Sequence, residues 1–320
     1  MLLLKRARAF LIENQIMVVL FGILLGTFFS DSLRVFSAYS TPLLVIVFFT
    51  SSLRLSIKEL TGYLKDWRML LIATLFMLVV LPLALFMPAK YLAPDWALAL
   101  LIMGAMPTGM TIALIADYFG GKTALALLIT ASTSLLAPIT IPFIFKIAVG
   151  TFVPIPVFSM FWSLFVTIVL PLVLALLVKH AAPKLVKKHD GFFREVSVLA
   201  FGILITGITA NSMGTASLAV SPRDLFVLIL ITLWLGALTW VSYHIVSWRT
   251  PPERMTIALC MIYLNNTLAL FIADKFFHDQ NQIPKLLLLL VVVNLLLPPI
   301  KYAARKMTLP ARRLHEINEV

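Results

Sequence analysis

Long apolar runs, nearly free of charge and separated by short charged or Gly/Pro stretches, recur along the whole chain. A helix needs about 20 apolar residues to cross the hydrocarbon core of a bilayer. The runs are of that size: Phe10 to Phe29, Ser37 to Leu53, Met69 to Met87, Trp96 to Tyr118, Thr123 to Ile147, Phe158 to Val178, Val196 to Gly214, Leu225 to Val246, Met255 to Phe276 and Leu286 to Tyr302. They predict a polytopic membrane protein of ten spans. Composition excludes a soluble globule, with 61% hydrophobic and 12% charged residues, against roughly 25% charged in soluble domains. The net charge of +12 would indicate nucleic acid in a soluble chain. In a membrane protein Lys and Arg gather in cytoplasmic loops for topological reasons, so the expected partners are the bilayer and a small-molecule solute, not nucleic acid.

Ten spans place both termini on one side and fix the parity of every loop. Of the 26 Lys and Arg residues, 20 fall on the terminal side, chiefly in the N-terminal segment, Arg54 to Arg68, Lys179 to Arg194 and the tail from Lys301. The other six are Arg34, Lys90, Lys146, Arg223, Lys275 and Lys285. This asymmetry predicts cytoplasmic termini and a multi-pass protein of the cell membrane. The opening Lys5-Arg6-Ala7-Arg8 before an apolar run resembles a signal peptide, but Glu13, Asn14 and Gln15 interrupt the junction and no small-residue cleavage site follows. An uncleaved first span is expected.

One internal likeness stands out. Thr111 to Phe119 in the fourth span and Thr267 to Phe276 in the ninth agree at seven of nine positions with one residue inserted, including Asp117 and Asp274. These are the fourth members of two five-span halves, residues 1–150 and 151–320. Because five is odd, the second half enters the membrane from the opposite side, the inverted plan of many secondary transporters. Both members are interrupted where the likeness begins: Gly104-Ala105-Met106-Pro107-Thr108-Gly109 in one, Tyr263-Leu264-Asn265-Asn266-Thr267 in the other. Proline removes a backbone donor and glycine weakens a helix, and broken backbone at mid-depth must face protein or a water-lined cavity. A proline kink with ordinary interhelical Asn hydrogen bonds is the plainer alternative.

A helix restarting after a break presents free N–H groups that suit an anion. The candidate solute site is therefore Thr108, Gly109 and Thr111 at one restart and Asn265, Asn266 and Thr267 at the other, supplemented by Asn211, Ser212 and Asn294. Thr130, Ser132 and Thr133 in the fifth span, with Asp117 and Asp274, are candidates for ion coupling. Intramembrane acids are functional candidates by default, though both aspartates lie near span ends, where a carboxylate can simply be hydrated. The single cysteine, Cys260, excludes an internal disulfide and a multi-cysteine metal site, and the five histidines show no metal-ligand spacing. A Gly-rich phosphate loop is missing, and no mid-span nucleophile, base or pair of acids converges as an enzyme would need.

The chain resembles the bile acid:sodium symporter family. The likeness lies in Phe48-Phe49-Thr50-Ser51-Ser52-Leu53-Arg54-Leu55-Ser56-Ile57-Lys58-Glu59-Leu60, in Met106-Pro107-Thr108-Gly109, in Gly120-Gly121-Lys122-Thr123-Ala124-Leu125-Ala126-Leu127, in Thr130 through Pro138 and in Asn265-Asn266-Thr267-Leu268-Ala269. It implies an all-α integral membrane protein whose ten helices form two inverted five-helix repeats, with discontinuous fourth and ninth helices crossing in a core domain beside a panel domain. It also implies uptake of organic anions, typically with sodium. Where sodium-coupled members carry a Ser-Asn pair, an acid and a fifth-span hydroxyl, this sequence has Ile112, Ala113, Cys260 and Ala126, while Thr130 is retained. Sodium needs oxygen ligands, and these four side chains supply none. The expected function is alternating-access transport of a small organic anion without a cofactor, the coupling ion being sodium or a proton. A proton-coupled or uncoupled carrier of the same fold and a non-transporting receptor are the alternatives. The oligomeric state, including a homo-oligomer, is left open.

Overall fold

The computed structural model describes residues 15–53, 55, 67–109, 112–151, 153–213, 220–277, 282–294 and 296. Thr111, most of the Arg54 to Arg68 loop, Gly214 and the tail from Lys301 lie outside the described residues. Within them the chain is helical, with one isolated β-bridge.

Among the described residues, six helices are long and apolar enough to cross a membrane. They are α2 (Ser30–Ser52), α3 (Trp67–Leu92), α6 (Thr123–Val149), α7 (Val157–Ala181), α9 (Asp190–Met213) and α10 (Pro222–Ile245). Shorter helices complete the order: α1 (Gln15–Phe28), α4 (Pro94–Gly104), α5 (Ile112–Tyr118), α8 (Pro183–Lys188), α11 (Pro251–Ile262) and α12 (Asn266–Phe276), then α13 (Ile283–Asn294). Large apolar side chains such as Phe158, Phe226 and Trp240 are exposed along the outside of the long helices, as expected where the surrounding solvent is lipid.

Packing sorts the helices into two sets. In the first, α9 lies against α1 and α2, and α7 against α2. Small residues bring these backbones together: a β-carbon on Gly26 would stand 2.7 Å from the Thr206 carbonyl oxygen, and one on Gly207 2.7 Å from the Phe36 carbonyl carbon. Gly22 and Gly26, one turn apart, form the small-xxx-small face that lets membrane helices approach closely. Near the ends of this set Ser51 and Ser197 share a hydrogen bond of 3.2 Å, and Lys179 donates to the Leu55 carbonyl at 2.8 Å.

The second set holds α3, α4, α5, α6, α10, α11 and α12, with α6 touching α3, α5 and α11. Trp96 at the start of α4 donates to the Asp224 carboxylate at 3.1 Å, and Asp224 in turn closes a capping box on Ser221. The sets meet where α6 runs along α7 and where α12 touches α9 and α2.

Two helices carry matching irregularities. The ladder of α3 widens to π geometry over Phe76–Val80 and that of α7 over Phe165–Val169. Each wide turn is followed by Leu-Pro, Leu81-Pro82 and Leu170-Pro171. The proline nitrogen cannot donate to the preceding turn, and the widened turn absorbs that gap without a sharp kink. Both helices then end at a non-helical alanine, Ala93 or Ala182, before a helix opening on Pro94 or Pro183. Residues 75–94 and 164–183 are identical at ten of twenty positions, so the shared backbone has a shared sequence cause. Both wide turns touch α6.

Candidate functional site

Two helical paths break at the middle of the second set, and the breaks meet. The first lies between α4 and α5, where Pro107 cannot continue the ladder; α4 ends hard against α3, a β-carbon on Gly104 standing 3.0 Å from Pro82 Cα. The second is the short passage Tyr263 to Asn265 between α11 and α12. Thr108 and Leu264 form an antiparallel bridge. Across it Gly109 N donates to the Tyr263 carbonyl and Asn265 N to the Pro107 carbonyl, each at 2.8 Å. The crossing strands thus satisfy each other's backbone groups, which hydrocarbon could not.

Side chains fix the crossing. Asn265 caps α12, its Oδ1 accepting from Leu268 N at 3.1 Å. Thr108 is fully buried; its hydroxyl donates to Met77 Sδ at 3.5 Å in the wide turn of α3, and its amide approaches Thr133 Oγ1 at 3.4 Å. Thr133 and Thr130 donate to their own helix, at the Ile129 and Ala126 carbonyls. Thr74 of α3 and Ser132 of α6 are joined at 3.3 Å. Asn266 and Thr267, in the first turn of α12, are half-buried, so their polar groups are less committed than those of Asn265.

Thr108, Gly109, Asn265 and Thr133 therefore meet in one network, with Asn266 and Thr267 at its edge and Thr130 one turn away along α6. Thr111 lies outside the described residues. Asn294 donates to the Leu290 carbonyl of its own helix at 2.8 Å. Asn211 reaches the Asp274 carboxylate, its Nδ2 to Oδ1 distance being 3.0 Å. The two aspartates differ: Asp274 is half-buried and paired, whereas Asp117 is exposed. Ile112, Ala126 and Cys260 are buried in the large hydrophobic core. Met77 joins the site without having been singled out in the sequence, and Tyr263, named there only as the start of the break, joins it as well. Tyr263 had a signal in its place beside Asn265; Met77 had none, because its approach depends on the wide turn of a different helix.

Residues 41–222, more than half of the chain, match the Sodium Bile acid symporter family. The chain belongs to that family. This family member is 26% identical to the mouse sodium/bile acid cotransporter 7 over 235 residues, 70% of this chain and 69% of the other. It is 25% identical to sodium/bile acid cotransporter 7-A of Xenopus laevis over the same length, covering 70% and 68%. With the uncharacterized sodium-dependent transporter YocS of Bacillus subtilis strain 168 the identity is 24% over 274 residues, 84% of each chain. Symporter-family proteins are transporters and not enzymes, so this is a multi-pass membrane protein acting on a small-molecule solute within lipid.

Proposed function

We propose that the chain carries a small organic anion across the cell membrane by alternating access, the two helix sets moving against each other around the crossing of the two breaks. Ten spans arranged as two inverted five-span halves, residues 1–150 and 151–320, with both termini cytoplasmic, are part of this reading. The 20-to-6 partition of Lys and Arg and the likeness between Thr111 to Phe119 and Thr267 to Phe276 support it. The observation that carries it is the crossing itself, where the Thr108–Leu264 bridge holds the start of α12 with half-buried Asn266 and Thr267 beside it. Discontinuous helices whose N-terminal ends meet near the midplane are the usual place for an anionic solute in secondary transporters. Thr108, Gly109, Thr111, Asn265, Asn266 and Thr267 form the proposed solute site.

The names of the relatives make sodium the first coupling ion to test. A proton-coupled or uncoupled carrier is the second reading, favoured by buried Ile112, Ala126 and Cys260, whose side chains offer no oxygen where a hard cation needs several. Purified protein in proteoliposomes, screened against organic anions with sodium and proton gradients imposed separately, tests both. Flux of no solute under any gradient would overturn the carrier reading and leave a receptor of the same fold.

A further inference from the structure

The last turn of α12 bridges the two helix sets with two adjacent side chains. Asp274 accepts from Asn211 Nδ2 of α9 at 3.0 Å, and Lys275 donates to Ser163 Oγ of α7 at 3.0 Å. Consecutive residues on a helix point about 100° apart, so one turn of α12 is held from two sides by helices of the opposite set. The lysine is further held over the Phe271 ring at 5.3 Å. Ser163 is itself built into the wide turn of α7, its carbonyl accepting from Thr167 Oγ1 at 2.8 Å. At the other end the sets meet through apolar side chains: Leu55 and Leu172 of the first set pack on Leu127 of the second, with Leu176 and Ala113 alongside.

We propose that Asp274 and Lys275 are the outer latch of the carrier, resting on the alternating-access reading above. With both bonds made, α12 is fixed to α7 and α9, and the route from outside to the crossing is shut. Opening requires both to break while the leucine contact at the cytoplasmic end persists. The internal likeness makes Asp117 the counterpart of Asp274, but Asp117 is exposed, so the latch belongs to one end only. A hydrogen bond to a charged group is among the stronger single contacts a side chain can make, and losing one shifts a closed-to-open balance by about tenfold.

The test uses a Cys260→Ala background with Thr267→Cys as reporter in the full chain, labelled in whole cells by a membrane-impermeant maleimide. Asn211→Ala and Ser163→Ala, the second deleting one oxygen only, are each expected to raise the initial labelling rate about tenfold, and together by more. Asp117→Ala is expected to leave it unchanged. An unaltered rate in both latch variants, with wild-type elution on size exclusion, overturns the proposal, as does a rise confined to inside-out vesicles. Labelling needs no solute, so faster labelling supports the latch even where the flux screen finds nothing and the carrier reading fails.

Discussion

Gly109 lies flat against Tyr263. Its amide donates to the Tyr263 carbonyl at 2.8 Å, and a β-carbon on it would stand 2.9 Å from Tyr263 Cδ1 and 3.2 Å from the Leu264 carbonyl oxygen. Glycine is needed here for closeness, because any side chain would push the two breaks apart. Gly109→Ala is expected to destabilise the protein by about 1–3 kcal/mol, the usual size for overpacking, and to abolish uptake. Thermal unfolding in detergent and proteoliposome flux check this; a variant with wild-type values in both would show that the crossing need not be tight.

Asn265 and Asn266 are adjacent but have different duties. Removing the cap by Asn265→Ala is expected to lower stability by about 1 kcal/mol, visible as a lower melting temperature. Asn266→Ala is expected to leave folded yield and melting near wild type while uptake is lost. Retained uptake in the Asn266 variant would remove that residue from the solute site.

Replacing external sodium by choline tests the coupling ion. With carbon or sulfur at Ile112, Ala113, Ala126 and Cys260, uptake is expected to persist in choline. A strict, saturable requirement for sodium would mean that backbone carbonyls or Thr130 and Thr133 rebuild a site from other oxygens.

Gly26 in the first helix set and Gly236 on α10 of the second form a paired test of close helix packing. Gly26→Ala drives a methyl to within 2.7 Å of the Thr206 carbonyl oxygen, whereas nothing lies within 4 Å of a β-carbon on Gly236. The first change is expected to cost about 1–3 kcal/mol. The second is expected to be neutral or to stabilise by up to about 1 kcal/mol, since alanine is the better helix former. Melting temperatures of the two purified variants, compared with wild type, decide it.

Much of the architecture is visible in residue order because bilayer-spanning helices announce themselves by length and apolarity. The fourth and ninth runs do not appear as single long helices because Pro107 and the Tyr263 to Asn265 passage divide them. The tenth is described only as far as residue 296, and the first from Gln15. The polar residues of the crossing were legible because Asn and Thr side chains are conspicuous in an apolar stretch. The Thr108 to Met77 contact was not, because thioethers look like core, and neither was the Asn211 to Asp274 bond, whose partners lie 63 positions apart on helices with no shared local pattern. The twinned wide turns were legible in principle, since Leu-Pro after a similar run occurs at both places.

Each of those wide turns takes up one surplus residue and so keeps the angular phase of the helix after it. An α-helix advances about 100° per residue. Deleting one residue within Phe76–Val80 or Phe165–Val169 would only close the wide turn to an ordinary one, whereas deleting one from the ordinary turns beside it would swing the remaining length by that angle. In α7 this would carry Lys179 off the Leu55 carbonyl and Ala175 out of its contact with Leu53 and Val186. In α3 it would turn Leu85 away from the closely packed Gly104. Outside the wide turn, a one-residue change of length in either helix is therefore a rotation, and the wide turn is the one place in the helix that absorbs it.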